Sequence, residues 1–224
     1  MNEAIKVLDH GLVRLVDHMG NDLSIVRNAR VSYNAEWRSG EDAGKDEKLI
    51  HYLYKNGHNT PFEAVTFTFE VKAPIFVIRQ WHRHRTQSYN EVSARYTELP
   101  EEFYIPELGQ ITTQSKDNKQ MRTDEINRNA EYIQTNIKGC NRNAFATYKE
   151  MLRVGCPREL ARSVLPVGTY THMFATMNLH NLFKFLGERL HPHAQWEIQQ
   201  YAQAMLDLIT PVVPVAVGAF NETR

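Results

Sequence analysis

Between Val65 and Lys72 the chain alternates without a break. Val65, Phe67, Phe69 and Val71 are apolar, while Thr66, Thr68, Glu70 and Lys72 are polar. A period of two places the first set on one face of a strand and the second set on the other. This stretch therefore predicts a half-buried strand, and helical periodicity elsewhere supplies candidates to cover its apolar face. Upstream, the turn signal Asp9-His10-Gly11 separates the alternations Ile5/Val7 and Val13/Leu15 and predicts a hairpin. A helix over 22–31 puts Ile25, Val26 and Ala29 on one face. After a polar loop, Leu49, Ile50, Leu53 and Tyr54 mark a second helix, with Gly57 as its stop. Thr60-Pro61-Phe62-Glu63 has capping-box form just before the strand, and Pro74 opens a short helix over 75–81 just after it.

The second half reads as follows. Residues 108–122 are polar and without period, and the whole of 108–130 is taken as an exposed polar loop. From Ile126 the steps through Ala130, Ile133, Ile137, Cys140, Ala144, Tyr148 and Met151 predict a long amphipathic helix. Thr123 would cap it, and Gly155 lies near its end. Pro157 starts a short helix over 160–165. Tyr170, His172, Phe174 and Thr176 form one face of a strand, and Asn178 caps a helix bearing Leu179, Leu182, Phe183 and Leu186. A last helix starts near Pro192. About six helices and four or five strands, not in βαβ alternation, make the class α+β. The expectation is a mixed sheet with one long and several shorter helices, in a single domain over 1–224.

Composition narrows the function. The 26 Lys+Arg balance 26 Asp+Glu, whereas a dedicated nucleic-acid binder normally carries a basic excess. Cys140 and Cys156 are the only cysteines and form no C-x-x-C, which excludes a disulfide framework or four-cysteine zinc site. The charged first eleven residues do not read as a signal peptide, and no apolar run approaches the ~18 residues of a spanning helix. The reading is a soluble, cytoplasmic protein. With no G-x-G-x-x-G, P-loop or H-E-x-x-H, any cofactor must be held by side chains and scattered amides. The histidines lack acidic or cysteine companions at zinc-like spacing, so no metal site is expected.

Residues 79–95 hold Arg79, Arg83, Arg85 and Arg95, with His82 and His84, against one acid, Glu91. Guanidinium groups stay charged and grip phosphate bidentately, so this density in a neutral chain marks an anion site. Trp81, Tyr89 and Tyr96 are interleaved with short hydrogen-bonding residues. That combination suits a nucleotide, and equally a single-stranded nucleic acid.

Arg83-His84-Arg85, seven residues and then Ser93 match the R-H-R-x7-S signature of the flavin-dependent thymidylate synthases. GHNTPFEAV (57–65), PRELARSVLP (157–166) and HAQWEIQQYA (193–202) also resemble that family's segments. The resemblance runs over about 11–202 and is weakest at 108–130. It implies methylation of dUMP to dTMP, with methylenetetrahydrofolate supplying the carbon. It also implies a noncovalent FAD, reduced by NADPH, that supplies hydride. The implied assembly is a homotetramer with active sites between subunits, without nucleic acid or membrane partners.

By the same resemblance, Arg83, His84, Arg85, Thr86 and Glu91 are flavin residues, joined by Thr60 and by Asn178, Leu179 and His180. His58 matches a histidine near the flavin ring. Gln80, Trp81, His82 and Arg83, with Glu91, Val92, Ser93, Ala94 and Arg95, match the nucleotide segment. Arg162 matches an arginine that contacts dUMP, and Arg189 the one that stabilises charge on the ionised pyrimidine. Two competing readings stay open: a noncatalytic nucleotide or single-strand binding module, and a flavoprotein with another electron acceptor.

Overall fold

The computed structural model describes residues 3–223. Strands β1 (Ile5–Val7) and β2 (Gly11–Met19) form the expected hairpin. Helix α1 (Asp22–Arg30) follows, entered by a capping box in which Asn21 and Ser24 exchange hydrogen bonds. Helix α2 (Ala43–Lys55) ends at Asn56, and Gly57 beyond it has φ +69°, the left-handed turn the sequence asked for. A 3₁₀ turn over Thr60–Ala64 leads into β3 (Thr66–Pro74). Thr60 makes no capping hydrogen bond there, because it is already the first residue of the turn and Asn59 precedes it.

Chain direction is handed from β3 to α3 (Ile75–Trp81) without a loop, and β4 (Ser88–Glu91) follows the basic segment. Strands β5 (Thr112–Gln114) and β6 (Arg122–Ile126) form a separate ribbon where the polar pattern predicted a loop. Polar bonds hold it: Thr113 and Thr123 hydroxyls meet at 2.6 Å, and Arg122 Nη2 donates to buried Glu197 at 3.0 Å. Thr123 is thus engaged in the ribbon and caps nothing. The 24-residue α4 (Ala130–Arg153) begins later than its pattern suggested, since Ile126 belongs to β6. Then come α5 (Arg158–Ala161), β7 (Tyr170–Asn178), α6 (Leu179–Arg189), α7 (Trp196–Ile209) and α8 (Pro214–Glu222). The last helix had no distinct signal, being almost uniformly apolar; Asp22 of α1 accepts from its Val215 and Ala216 amides at 2.9 and 3.0 Å.

The main sheet has the order β1-β2-β3-β7-β4, and every pairing recorded in it is antiparallel. The expected mixed sheet is therefore corrected. The long excursions before β3 and β7 return the chain to the end that reverses its direction, which a residue pattern cannot reveal. In the register, Phe67, Phe69 and Val71 lie opposite Met177, Ala175 and Met173, all buried. Against this face pack Tyr201, Ala202 and Met205 of α7 and Leu182, Phe185 and Leu186 of α6. Each fully buried large apolar side chain contributes about 1.5–3 kcal/mol. The opposite face is polar, with Glu70 bridging Arg14 and His172 and Thr68 bonded to Thr176 at 2.9 Å.

At Gly11, where β2 begins, an added Cβ would lie 2.1 Å from the Tyr201 hydroxyl and 2.5 Å from the Val7 carbonyl. That hydroxyl is itself held by the Lys72 carbonyl at 2.9 Å. Gly11→Ala should therefore destabilise the fold by about 1–3 kcal/mol. Denaturant midpoints at unchanged m-value would measure it.

Candidate active site

Helix α3 sorts its residues by helical phase. Val77, Ile78 and Trp81 are buried, and Arg79 and Gln80 face outward. The chain leaves it through a tight turn, with the His82 and His84 amides bonded to the Ile78 and Trp81 carbonyls at 2.9 Å. Two further bonds staple the basic loop: Trp81 Nε1 donates to Gln87 at 2.9 Å, and Tyr89 Oη donates to the His84 carbonyl at 2.7 Å. Strand β4 then pairs with β7 and carries Glu91 to a groove.

That groove encloses about 500 Å³ between α3, the end of β4, α5 and β7. Arg79 and Arg162 line it with Glu91, over apolar Ile75, Val92 and Leu99. Thr171 donates to Glu91 at 2.6 Å and fixes its carboxylate. Glu159, one helical turn from Arg162 and also lining the groove, approaches Arg95 at 3.5 Å. Among the described residues neither Arg79 nor Arg162 has an acidic partner. Volumes of roughly 300–1,000 Å³ suit small-molecule ligands. Glu91 and Glu159 both line the groove, but they are engaged by Thr171 and Arg95, so the two unspent guanidiniums suit an anionic ligand.

A second cluster lies at the end of α6. There Arg189 Nε donates to His84 Nε2 at 2.9 Å, and Nη2 donates to the Gln80 carbonyl at 3.2 Å. The His84 ring meets the edge of Phe185 at 4.8 Å. Burial and then the Arg189 cation hold His84 below the ordinary histidine range, with Glu188 pulling weakly the other way. Gln80 also donates to Gln195 ahead of α7.

The family model described as thymidylate synthase complementing protein matches residues 14–215. The flavin-dependent thymidylate synthase of Thermotoga neapolitana is 47% identical over 216 residues, covering 96% of this chain and 93% of its own. That of Thermus thermophilus is 47% identical over 218 residues, covering 97% and 78%. This chain belongs to the flavin-dependent thymidylate synthase family. Among solved structures, a UMP/dUMP methylase of Streptomyces cacaoi bound with 5-Br dUMP matches with a TM-score of 0.88. It is 35% identical and 97% of each chain is covered.

For a flavin-dependent thymidylate synthase, the residues expected at the flavin fall into two sets. Arg83, Arg85 and Thr86 lie exposed on the basic loop, and the described structure gives neither arginine an ion-pair partner. Free guanidiniums of this kind fit the phosphates of a dinucleotide. The other set gathers where α6 begins. There Leu179 N–H donates to the Val65 carbonyl at 2.8 Å, and Asn178 caps the helix by accepting from Asn181 at 2.9 Å. Exposed Thr60 belongs to the 3₁₀ turn just before Val65, and exposed His58, stacked on Tyr52, precedes it. Burial holds His180 below its usual value, followed by the effect of Lys184. Helix α6 is about 15 Å long at 1.5 Å per residue, with Asn178 capping its start and His84 of the basic loop against Arg189 at its end.

Several expected nucleotide contacts are placed otherwise. Trp81 is fully buried against Phe185 at 4.6 Å and serves the core, as does Leu179, which was expected at the flavin; Ala94 is buried but lines the groove beside Val92. His82 is exposed, with its ring against Tyr89 at 4.8 Å. Ser93 Oγ accepts from the Arg95 amide at 3.3 Å within a turn that carries Arg95 outward. Thr171 and Gln195 were missed, and Arg79, named within the anion-binding segment, was not assigned to the nucleotide. Arg79 shares the outer face of α3 with Gln80, so helical phase could have found it; the other two come from distant strand and helix ends. Among the described residues no group of three or more His, Cys, Asp and Glu could hold a metal ion, and no helix is long and apolar enough to cross a membrane.

Burial pushes the Tyr89 phenol up to about 12. A raised pKa means its stabilisation is intact below the ordinary value of 10 and is lost as pH rises through about 12. Tyr89→Phe should thus cost roughly 1 kcal/mol at neutral pH. Paired denaturation curves should show that difference constant up to pH 10 and shrinking above it.

Proposed function

We propose that this chain reductively methylates dUMP to dTMP. Methylenetetrahydrofolate is the carbon donor, and noncovalent FAD, reduced by NADPH, supplies the hydride when bound. Family membership and the 5-Br dUMP-bound relative support the nucleotide assignment. The observation that carries it is the groove of Arg79, Arg162 and Glu91, which offers two unpaired cations to a phosphate over an apolar floor. Arg95 and Ser93 border that groove and orient the nucleotide. Arg189 is the fixed cation for negative charge on the pyrimidine, half-buried where a charge is felt strongly.

Arg189 and Arg162 belong to clusters that share no lining residue, and the flavin residues sit at opposite ends of α6. Both facts support sites completed between subunits, in a homotetramer. The long helix supports this as well: Tyr132 and Cys140 of α4 are exposed, with Ile133 and Ile137 only half-covered by their own chain. In such an assembly His58 and Thr60 of one subunit approach the basic loop of another. This makes His58 a catalytic neighbour of the flavin.

No cysteine nucleophile is needed. Cys140, expected on a buried stripe, is exposed at the middle of α4, whereas Ala130 and Tyr148 toward the ends of that stripe are buried. Cys156 is half-buried, its thiol facing the Pro157 carbonyl at 3.8 Å. Neither lines the groove or the Arg189 cluster.

The purified protein should show flavin absorbance and form dTMP only when dUMP, methylenetetrahydrofolate and NADPH are all present. The Cys140→Ala, Cys156→Ala double variant should keep turnover within about tenfold, or roughly 1.4 kcal/mol of barrier. A folded, flavin-bound double variant without turnover would restore the thiolate. Separately, Arg189→Ala should lower turnover by about 10²–10³ with flavin retained. Arg83→Ala should lose FAD first, as flavin absorbance after gel filtration would show. Identical behaviour of the two arginine variants would refute the division of roles.

A further inference from the structure

Arginine is a donor only, so the 2.9 Å contact from Arg189 Nε to His84 Nε2 requires a lone pair on that nitrogen. His84 must be neutral, with its proton on Nδ1. The second bond, from Nη2 to the Gln80 carbonyl, engages the same side edge of the guanidinium. Both donors of that edge are thereby spent on protein. The remaining end-on pair of N–H groups has no protein partner among the described residues.

We propose that His84 is a positioning residue for Arg189, its unprotonated Nε2 turning the guanidinium so that the end-on N–H pair faces the substrate. This rests on the pyrimidine-stabilising role proposed for Arg189. The surroundings favour it. Phe185 of α6 closes one side of the ring, and Tyr89 holds the His84 carbonyl, so the imidazole cannot swing out with the loop. The charged or titratable groups facing it are Arg189 and Glu188 from α6. Arg83, Arg85 and His82 belong to its own loop, and His191 and His193 line a pocket together with Arg189. Glu188 stands 3.9 Å away and is mostly exposed, so solvent screens it. Arg189 opposes protonation directly. A proton on Nε2 would set N–H against N–H and release the guanidinium.

Selective ¹⁵N-histidine labelling of the holoenzyme tests this without any assay of turnover. His84 should show an unprotonated Nε2 at neutral pH, and Arg189→Ala should raise its titration midpoint. In kinetics, His84→Ala should lower kcat about 10- to 100-fold while flavin content stays near wild type. His84→Gln, whose amide oxygen can accept the same bond, should recover most of that loss. It should also flatten the acid limb of the wild-type pH profile. A protonated Nε2, an unmoved midpoint, or activity lost only in proportion to FAD in both variants would overturn the proposal. If His84→Ala fails to fold, the labelled wild type still decides. If wild type forms no dTMP, the proposed reaction fails, while the tautomer readout stands by itself.

Discussion

The pairing of β3 with β2 on one side and β7 on the other governs the rest of the molecule. Phe67, Phe69 and Val71 can be buried only in a register that sets them beside Leu15, Met173, Ala175 and Met177, because a one-residue slip would turn them to the polar face. Helices α6 and α7 close over that apolar face, and they are the elements that carry Arg189 and Gln195. Since α3 grows directly out of β3, the same register decides where the basic loop begins. The site therefore inherits its geometry from the core, with Trp81 as the joint. One side of its indole packs on Phe185, and its Nε1 ties down the loop through Gln87.

A neutral chain can still concentrate positive charge when its acids are engaged elsewhere. Glu70 is held between Arg14 and His172, Glu102 pairs with Lys72, and Glu197 pairs with Arg122. Two acids line the groove: Glu91, held by Thr171, and Glu159, which leans toward Arg95. Among the described residues, the arginines at 79, 83, 85 and 162 have no acidic partner. Guanidiniums in such surroundings are poised for phosphate and carboxylate, which bind them bidentately. Tyrosine 89 contributes differently, as a neutral phenol that secures the loop backbone while the charged heads stay outside.

Much of this was legible in the residues. The hairpin at Asp9-His10-Gly11, the bounds of α3 and the Asn178 cap all follow from short-range rules, since turn chemistry and capping depend on a few neighbouring groups. Misreadings arose where distant partners decide. Ribbon β5–β6 has no apolar period and is held by Thr113, Thr123 and the Glu197 pair. Cys140 fell on a helical stripe whose ends at Ala130 and Tyr148 are buried, yet its own position is exposed.

Local periodicity thus determined most of the strands and helices, though not β4, β5, β6 or α8, and the 83–93 segment pointed to the family. Tertiary structure alone decided that the sheet is antiparallel throughout and that Trp81 belongs to the core. It also separated Arg189 from Arg162 and set His84 beneath Arg189. These depend on which ends of distant segments meet, and a pattern of side chains along one segment holds no record of the segment that will lie across from it.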